Sequence, residues 1–193
     1  NGQATSVTIE ADDTSVTGGS AETITIADGS TGSSISGTQT TEGIDDQSGN
    51  ATTSDINPAD DVVVNSDTGE TFDSIQNAVD NASSDETLRV GAGTFNESVT
   101  VDTEGLTLEG PNAELAGDSD ARGDEALINR TGTPVSGGSA VSITEAGVTV
   151  DGFQIESAAQ NGISVDQPVN DTTIQNNRIT SVAGNTFGSN SGS

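Results

Sequence analysis

The sequence VSITEAGVTVDGFQI, at residues 141–155, alternates apolar and polar side chains in pieces of three or four residues. Glycine-containing corners, Ala146-Gly147 and Asp151-Gly152, separate the pieces. Strict alternation is typical of a β-strand with one buried face. Strands this short are not expected to pair as an ordinary hairpin. Each piece is therefore expected to pair with a similar piece elsewhere in the chain.

The same pattern recurs on both sides of this segment. VTVDTEGLTLEG at residues 99–110 matches residues 141–152 at an offset of 42 residues, and TTIQNNRI at residues 172–179 repeats residues 148–155 at an offset of 24 residues. A period in the twenties of short β-segments is typical of a solenoid. The longer step fits one coil plus an insertion, which we expect in the polar residues 116–124. The alignment pairs Val99 with Val141, Gly105 with Gly147, Leu106 with Val148, Leu108 with Val150, Ile174 with Val150 and Ile179 with Ile155.

Further short apolar segments, separated by Gly, Asn or Asp-Gly, predict the other strands. DVVV at residues 61–64 is expected to be the first solenoid strand. The remaining predicted strands are residues 87–90, 98–101, 106–108, 113–115, 126–128, 140–143, 148–150, 162–165, 172–174 and 178–180.

One helix is predicted, at residues 71–81 (TFDSIQNAVDN). Thr71 is expected to be the N-cap, and Asp73 lies in the first turn, where the helix dipole favours a negative charge. Because the open first coil of a solenoid exposes strand edges and apolar ends, we expect this helix to cover it. The apolar residues on one face of the helix are Phe72, Ile75 and Val79.

The chain divides by composition into three parts. Residues 1–58 are predicted to be an extended N-terminal arm with two strands and a polar linker, residues 59–182 a solenoid domain, and residues 183–193 a polar tail. A two-stranded ribbon is marginal alone. The arm is therefore expected to pack on its own solenoid or to pair with another subunit. The candidate assembly residues are Ser6, Val7, Thr8, Ile9, Glu10, Thr23, Ile24, Thr25 and Ile26.

Residues 72–97, FDSIQNAVDNASSDETLRVGAGTFNE, combine a helix, a strand and a glycine-rich corner in an order that resembles the pectin lyase-like family, including pectinesterase-like and periplasmic copper-protein-like members. GVTVDGFQIESAAQNGISV and TTIQNNRIT look like repeat coils of that family. The resemblance covers residues 60–180. It implies an all-β fold, namely a short right-handed parallel β-helix with one N-terminal capping helix. The extended strand-forming arm at residues 1–58, predicted from the sequence itself, precedes this β-helix. The resemblance implies little about function, because many chemistries and many non-enzymes use this solenoid.

The charge of the chain is strongly one-sided. The net charge is −27, with 31 acidic residues and four arginines. Dispersed carboxylates, no lysine and small apolar residues are typical of a protein adapted to concentrated salt, where mutual repulsion is screened. Without a basic patch, binding to nucleic acid is not expected. No apolar run approaches the roughly 20 residues of a membrane span.

The chain has no histidine, cysteine, tyrosine or lysine, which excludes a Ser/His/Asp or Cys/His site and an imidazole metal site. The resemblance implies the paired aspartates and arginine of pectinesterases, or the Ca²⁺ and basic residue of polysaccharide lyases. The Gln-Asp-Thr-Leu motif of pectinesterases is absent after residues 162–165, and so are the polygalacturonase motifs. The best remaining catalytic constellation is Asp151, Asp166 and Arg178, although acidic corners with one paired arginine explain it better.

Two further kinds of site are candidates. The loop GDSDARGDE crowds carboxylates that suit Ca²⁺, although its spacing does not match an EF-hand. The candidate calcium ligands are Asp118, Asp120, Asp124 and Glu125. The Asn-x-Ser/Thr acceptor pattern occurs at Asn50, Asn81, Asn96, Asn129 and Asn170. These residues are candidate glycosylation sites or simply turn formers, and with Asn1 in place of an initiator Met they favour an exported protein.

Two functions follow as hypotheses. The first is a non-catalytic exported structural or adhesive protein of a halophile, at the cell surface or outside the cell. In its sharper form the chain is a filament subunit that joins head to tail through the arm and the open solenoid end. The alternative is a carbohydrate-active enzyme or a glycan-binding module, but the chain has no Trp or Tyr for stacking on sugars.

Overall fold

The computed structural model describes residues 4–10, 15–17, 20–27, 34–36, 39–40, 44–46, 52–54, 57–130, 138–157, 161–166 and 168–180. These residues form short β-strands and one short helix, and most neighbouring strands are parallel. The chain is therefore an all-β protein built from parallel sheets, as the alternating pattern predicted.

The strands and the helix are numbered in chain order. The N-terminal strands are β1 (Ala4–Ile9), β2 (Ser15–Thr17), β3 (Ser20–Ile26), β4 (Ser34–Ser36), β5 (Gln39–Thr40), β6 (Ile44–Asp46), β7 (Thr52–Ser54) and β8 (Asn57–Pro58). They are followed by β9 (Val63–Asn65), β10 (Thr71–Phe72), α1 (Ile75–Asn81), β11 (Thr87–Val90), β12 (Gly93–Phe95), β13 (Val99–Val101) and β14 (Thr107–Glu109). The last are β15 (Ala126–Arg130), β16 (Ser139–Ile143), β17 (Thr149–Asp151), β18 (Gln154–Ser157), β19 (Asn161–Val165), β20 (Thr173–Gln175) and β21 (Arg178–Thr180).

From β11 onward the chain visits three sheets in rotation. Sheet 1 has the order β10-β9-β11-β14-β17-β20, sheet 2 the order β12-β15-β18-β21 and sheet 3 the order β13-β16-β19. Each circuit of the chain adds one parallel strand to each sheet. The offsets read from the sequence are confirmed by the pairs Val99↔Val141, Leu108↔Val150, Val150↔Ile174 and Ile155↔Ile179.

The apolar side chains of these strands form one core. Val99, Val101, Leu108, Val150 and Ile155 are buried in it. Each belongs to an alternating strand with one buried face, so residues that pair in register stack on one another inside the molecule. The predicted pairing of Gly105 with Gly147 is also present, because the amide of Gly105 donates to Ala146 at 2.9 Å and both glycines have a positive φ that favours glycine.

The chain has an insertion between β14 and β15, which explains the 42-residue step. One strand was predicted within this insertion and is not present. Residues 110–125 contain turns and no strand, so the predicted strand at 113–115 is wrong. Ala113 and Leu115 instead donate backbone hydrogen bonds three residues back, to Gly110 and Asn112. Residues 93–95, predicted to belong to the glycine-rich corner, form β12.

The segment predicted as the first solenoid strand pairs in the opposite direction. Strand β9 is antiparallel to both β10 and β11. Asn65 causes the reversal, because its Oδ1 accepts the amides of Asp67 and Thr68 at 3.0 and 3.2 Å and closes a tight turn. Residues 71–72 therefore return as β10.

The helix begins later than predicted. Thr71 and Phe72 pair with Val64 and Val63, so Thr71 is not the N-cap. The cap is Ser74, whose hydroxyl accepts the amide of Asn77 at 3.2 Å. Of the described residues, none belongs to a helix with the length and hydrophobicity needed to cross a membrane.

The described parts of residues 4–58 differ from the predicted extended arm. Strands β1, β3, β5, β6 and β8 pair in one parallel sheet, and β2, β4 and β7 pair in another. The residues predicted to form a polar linker thus contribute several strands. A second core containing Ile9, Ala21, Ile24 and Ile26 includes Val64 of β9, which packs this N-terminal block on the rest of the chain.

Candidate functional site

The loop between β14 and β15 (residues 110–125) is fastened by one buried arginine. The side chain of Arg122 is only 2% exposed. Its Nε and Nη2 donate to the two carboxylate oxygens of Glu125 at 2.9 and 2.7 Å. Its Nη1 donates to the carbonyls of Leu115 at 2.8 Å and Asn176 at 2.6 Å. The guanidinium of Arg122 therefore links two parts of the loop with each other and with the last described circuit.

Glu125 lies at the centre of this network. Asn112 donates to its Oε2 at 3.0 Å, and Nη1 of Arg178 lies 3.4 Å from its Oε1. The hydrogen bond from Arg122 is the main reason that the pKa of the Glu125 carboxyl is lowered, although partial burial opposes the shift. The ionised form of the carboxyl group is therefore favoured, and protein donors occupy both of its oxygens.

The four candidate calcium ligands do not converge. Asp118, Asp120 and Asp124 are exposed, whereas Glu125 is committed to the arginines. No group of three acidic side chains that could hold a metal ion occurs within the described ranges. The arginine within the GDSDARGDE motif explains the difference, because Arg122 neutralises the carboxylate that a cation would need.

The candidate catalytic residues are separated as well. Asp151 is buried, and its Oδ1 and Oδ2 accept from Asn176 at 2.8 Å and Gln175 at 2.9 Å. Arg178 donates to the carbonyl of Gly117 at 2.9 Å, and Asp166 is exposed after β19, in a different sheet. Asp151 therefore fixes the corner before β21, and Arg178 joins β21 to the loop.

A cleft of about 610 Å³ lies beside the same loop. Arg89 and Glu109 line it and form an ion pair at 3.1 Å. The other charged lining residues are carboxylates, and no aromatic side chain is among the described residues that line the cleft. The cleft has the size of a small ligand site, but it lacks the stacking platform that sugars usually use. Its charged lining residues are Asp60, Arg89, Glu109, Glu114 and Asp124.

The glycosylation candidates occupy different environments. Asn81, Asn96 and Asn170 are exposed, at the end of α1 and at two corners. Asn129 is half-buried inside β15, and its Oδ1 is buried without a hydrogen-bond partner among the described atoms. Asn50 lies outside the described residues.

Eight of the nine candidate assembly residues pair with one another inside the chain, whereas Glu10 follows β1 and is exposed. Val7 pairs with Ile24 and Ile9 with Ile26, in parallel register, while Ser6 and Thr8 pair with Thr23 and Thr25. The apolar members are therefore used in the chain's own core. The other edge of β1 carries no strand within the described residues.

The opposite end of the molecule carries exposed apolar side chains. Within the described part of the chain, β19, β20 and β21 are the last strands of sheets 3, 1 and 2. Ile174 and Ile179 are 41% and 47% exposed, whereas Val150 and Ile155, with which they pair, are fully buried. We call the surface formed by β19, β20 and β21 the open end. In the sequence, both isoleucines occupy repeat positions that match Val150 and Ile155.

Comparisons of the chain with protein-family models, with curated proteins and with solved structures found no match.

Proposed function

We propose that the chain is a non-catalytic, exported structural or adhesive protein of a halophile, located at the cell surface or outside the cell, and that it joins copies of itself head to tail. Its architecture would be a short right-handed parallel β-helix of the pectin lyase-like kind. Rotation of the chain through three parallel sheets supports this architecture, because crossovers between parallel strands are right-handed in about 98% of cases.

The observation that carries the proposal is the exposure of Ile174 and Ile179 at the open end. Both occupy positions that are buried in the preceding circuit, at Val150 and Ile155. Covering an apolar side chain of this size contributes roughly 1.5–3 kcal/mol when burial is complete. A further layer of parallel strands would bury them and pair the edges of β20 and β21 that carry no other described strand.

A second copy of the chain offers such a layer. Its β1 has one edge free of other described strands, and the existing partner of β1 is parallel. In this contact the N-terminal residues would stay folded in their own sheet, and the outer edge of β1 would pair with the open end of another copy. The arm would therefore not have to detach from its own chain. Because the two surfaces differ, the contact is heterologous. If each copy continues the stack of parallel strands of the previous one, the contact repeats as an open rod and does not close into a ring.

The chain's own side chains cover the outer edges of β12 and β13, the first strands of sheets 2 and 3. This difference between the two ends of the sheets supports a head-to-tail contact. The Gln76 side chain accepts the amide of Thr100 at 2.7 Å and donates to its carbonyl at 3.2 Å, so it occupies the outer edge of β13. Asp61 Oδ1 accepts the amide of Thr94 in β12 at 3.2 Å. These edges are thus covered by the chain itself, whereas β19, β20 and β21 are not covered by described residues.

Sedimentation velocity and electron microscopy in about 2 M salt, where charge repulsion is screened, test the proposal. The unmodified chain is expected to form rods at increasing concentration. The Ile174→Lys and Ile179→Lys single variants and their combination are expected to be monomers. The Thr173→Lys variant, which adds one lysine at an exposed polar position of β20, is the control for Ile174→Lys and is expected to keep forming rods. Monomers of the unmodified chain at every concentration would refute self-assembly.

A mixing experiment tests the head-to-tail direction. The double lysine variant keeps a normal β1 edge and lacks a functional open end. It is therefore expected to add to one end of a growing rod and stop growth there, which shortens the rods in proportion to the amount added. Rods of unchanged length would contradict a directional contact.

The cleft beside Arg89 favours the second candidate, a glycan-binding module or a carbohydrate-active enzyme. Its size suits one or two sugar rings, and Arg89 could pair with a uronate. A glycan array and a uronate-release assay in high salt distinguish the candidates. Binding or release that is lost in Arg89→Ala would favour the glycan function over a purely structural one.

A further inference from the structure

The corner between β12 and β13 carries the acceptor sequence Asn96-Glu97-Ser98. Both Asn96 and Ser98 are exposed, so the amide and the hydroxyl residue of the acceptor pattern are accessible together. Glu97, the residue between them, is held in place by hydrogen bonds. The Glu97 carboxylate accepts the amides of Ile75 and Gln76 at the start of α1, both at 2.9 Å. The corner therefore presents the acceptor on a rigid support.

The other described acceptor sequences each lack one of these features. Asn129 lies inside β15 with its amide oxygen buried. Asn170 is exposed, but the hydroxyl of Thr172, two residues later, is buried. The amide nitrogen of Asn81 donates to the backbone carbonyl and the side-chain oxygen of Asn77, at 2.8 and 3.1 Å. A transferase would have to break the Asn81 hydrogen bonds, or to expose the buried atoms of Asn129 and Thr172, before it could modify these three acceptor sequences.

We infer that Asn96 is the preferred site of N-glycosylation on the folded chain. The inference rests on the export part of the proposed function. In the reaction, Nδ2 of Asn96 forms a bond to the anomeric carbon of an oligosaccharide carried on a lipid phosphate. The bond between that carbon and the phosphate oxygen breaks, the lipid phosphate leaves with the electron pair, and Nδ2 gives up one proton to the transferase. No oxidant or reductant takes part.

The position is compatible with head-to-tail assembly. Strands β12 and β21 are at opposite ends of sheet 2. A glycan at Asn96 would thus project from the corner next to α1 and leave the open end uncovered. A glycan at Asn170, at the corner that precedes β20, would lie beside the exposed isoleucines and obstruct a second copy.

The test places a cleavable export signal ahead of the whole chain in a halophilic host that N-glycosylates its exported proteins. Peptide mass spectrometry then gives the occupancy of each acceptor, with an endogenous glycoprotein as the positive control. We expect a glycan on Asn96 and none on Asn129 or Asn170. Ser98→Ala should abolish the modification, Ser98→Thr should retain it, and Thr172→Ala should leave it unchanged.

An unmodified Asn96, or equal occupancy at Asn96, Asn129 and Asn170, would overturn the inference. Because the added signal forces export, the outcome does not depend on whether the chain is exported naturally. The assembly experiments use unglycosylated protein, so failure of either proposal is recognised separately.

Discussion

At the scale of single residues, Arg122 joins parts of the chain that are far apart in sequence. Besides Glu125, its guanidinium contacts the carbonyls of Gly152 and Phe153 at 3.3 and 3.4 Å, in addition to that of Asn176. These carbonyls belong to corners of two successive circuits. A planar group with five N–H donors suits this role, and a lysine could not contact as many acceptors.

Replacing Arg122 with alanine is expected to destabilise the fold strongly. The change leaves the Glu125 carboxylate without its main partner in a protected site, and losing one member of a buried pair costs about 3–5 kcal/mol. Urea unfolding in constant high salt measures the loss. The matched variant Arg89→Ala breaks the more exposed pair with Glu109 and is expected to cost about 0–1 kcal/mol. Equal losses in the two variants would contradict the central role of Arg122.

The same network predicts a dependence on pH. The pKa of the Glu125 carboxyl is lowered from its ordinary value of 4.5, first by the hydrogen bond from Arg122. A carboxyl whose pKa is lower in the folded than in the unfolded state stabilises the fold above the unfolded value, and this contribution is lost as the pH falls through the folded value. The gap in unfolding free energy between the unmodified chain and Glu125→Gln should therefore be largest above pH 4.5 and shrink below it.

The exposed Glu104 provides the control for this experiment. Glu104→Gln changes the net charge by the same amount without touching the arginine network. A pH-independent gap for Glu125→Gln, measured by urea unfolding across the same pH range, would show that its ion pairs do not stabilise the fold.

At the scale of elements, the helix protects the edge of a sheet. The buried face of α1, formed by Ile75, Ala78 and Val79, packs into the main core. On its partly exposed side, Gln76 makes with Thr100 the two hydrogen bonds that a neighbouring strand would make. A side-chain amide has the same donor and acceptor as a peptide group, so it can end a sheet without another strand.

Gln76→Ala is expected to release this edge. The two hydrogen bonds with the Thr100 backbone are lost, and a net loss of about 1 kcal/mol per bond at most is expected. Hydrogen exchange gives a local measurement, because the amide of Thr100 should exchange much faster in the variant. The amide of Ser142, on the inner neighbour β16, serves as the internal control and should keep its protection. Unchanged exchange at Thr100 would exclude the capping role of Gln76.

At the scale of the whole molecule, the net charge of −27 is the main electrostatic feature. Dispersed carboxylates repel one another over a Debye length of about 8 Å at physiological salt and about 3 Å at 1 M. The parallel sheets bring acidic residues of successive circuits together, as in the pair Glu109↔Asp151. Folding therefore concentrates like charge, and salt should favour the folded chain.

The thermal unfolding midpoint is expected to rise steadily from about 0.1 M to 2 M NaCl as repulsion is screened. The variant Asp118→Asn/Asp120→Asn/Asp124→Asn removes three exposed charges from one loop and should show a weaker dependence on salt. It also tests the calcium hypothesis, because Ca²⁺ should then stabilise the unmodified chain no more than this variant at equal ionic strength. A midpoint that does not change with salt would argue against repulsion as the main destabilising term.

Much of the strand pairing from β13 to β21 could be predicted from the sequence, because one physical rule determines the register of these strands. Burying alternate side chains fixes a strand's register to the neighbour with the same alternation. The offsets of 42 and 24 residues therefore gave the strand pairs of β13, β14, β17 and β18 directly. The positive-φ corners at Gly105 and Gly147 followed from the same alignment.

The sequence by itself determined an all-β chain, the repeat register, the place of the insertion and the strong acidity. These properties depend on local alternation and composition. The tertiary structure alone decided the antiparallel β9, the pairing of the polar N-terminal residues, the Arg122 network and the capping by Gln76. Apart from the local turn at Asn65 and the local Arg122–Glu125 pair, these features depend on contacts between residues distant in the chain, and a polar side chain's distant partner leaves no periodic signal in the sequence.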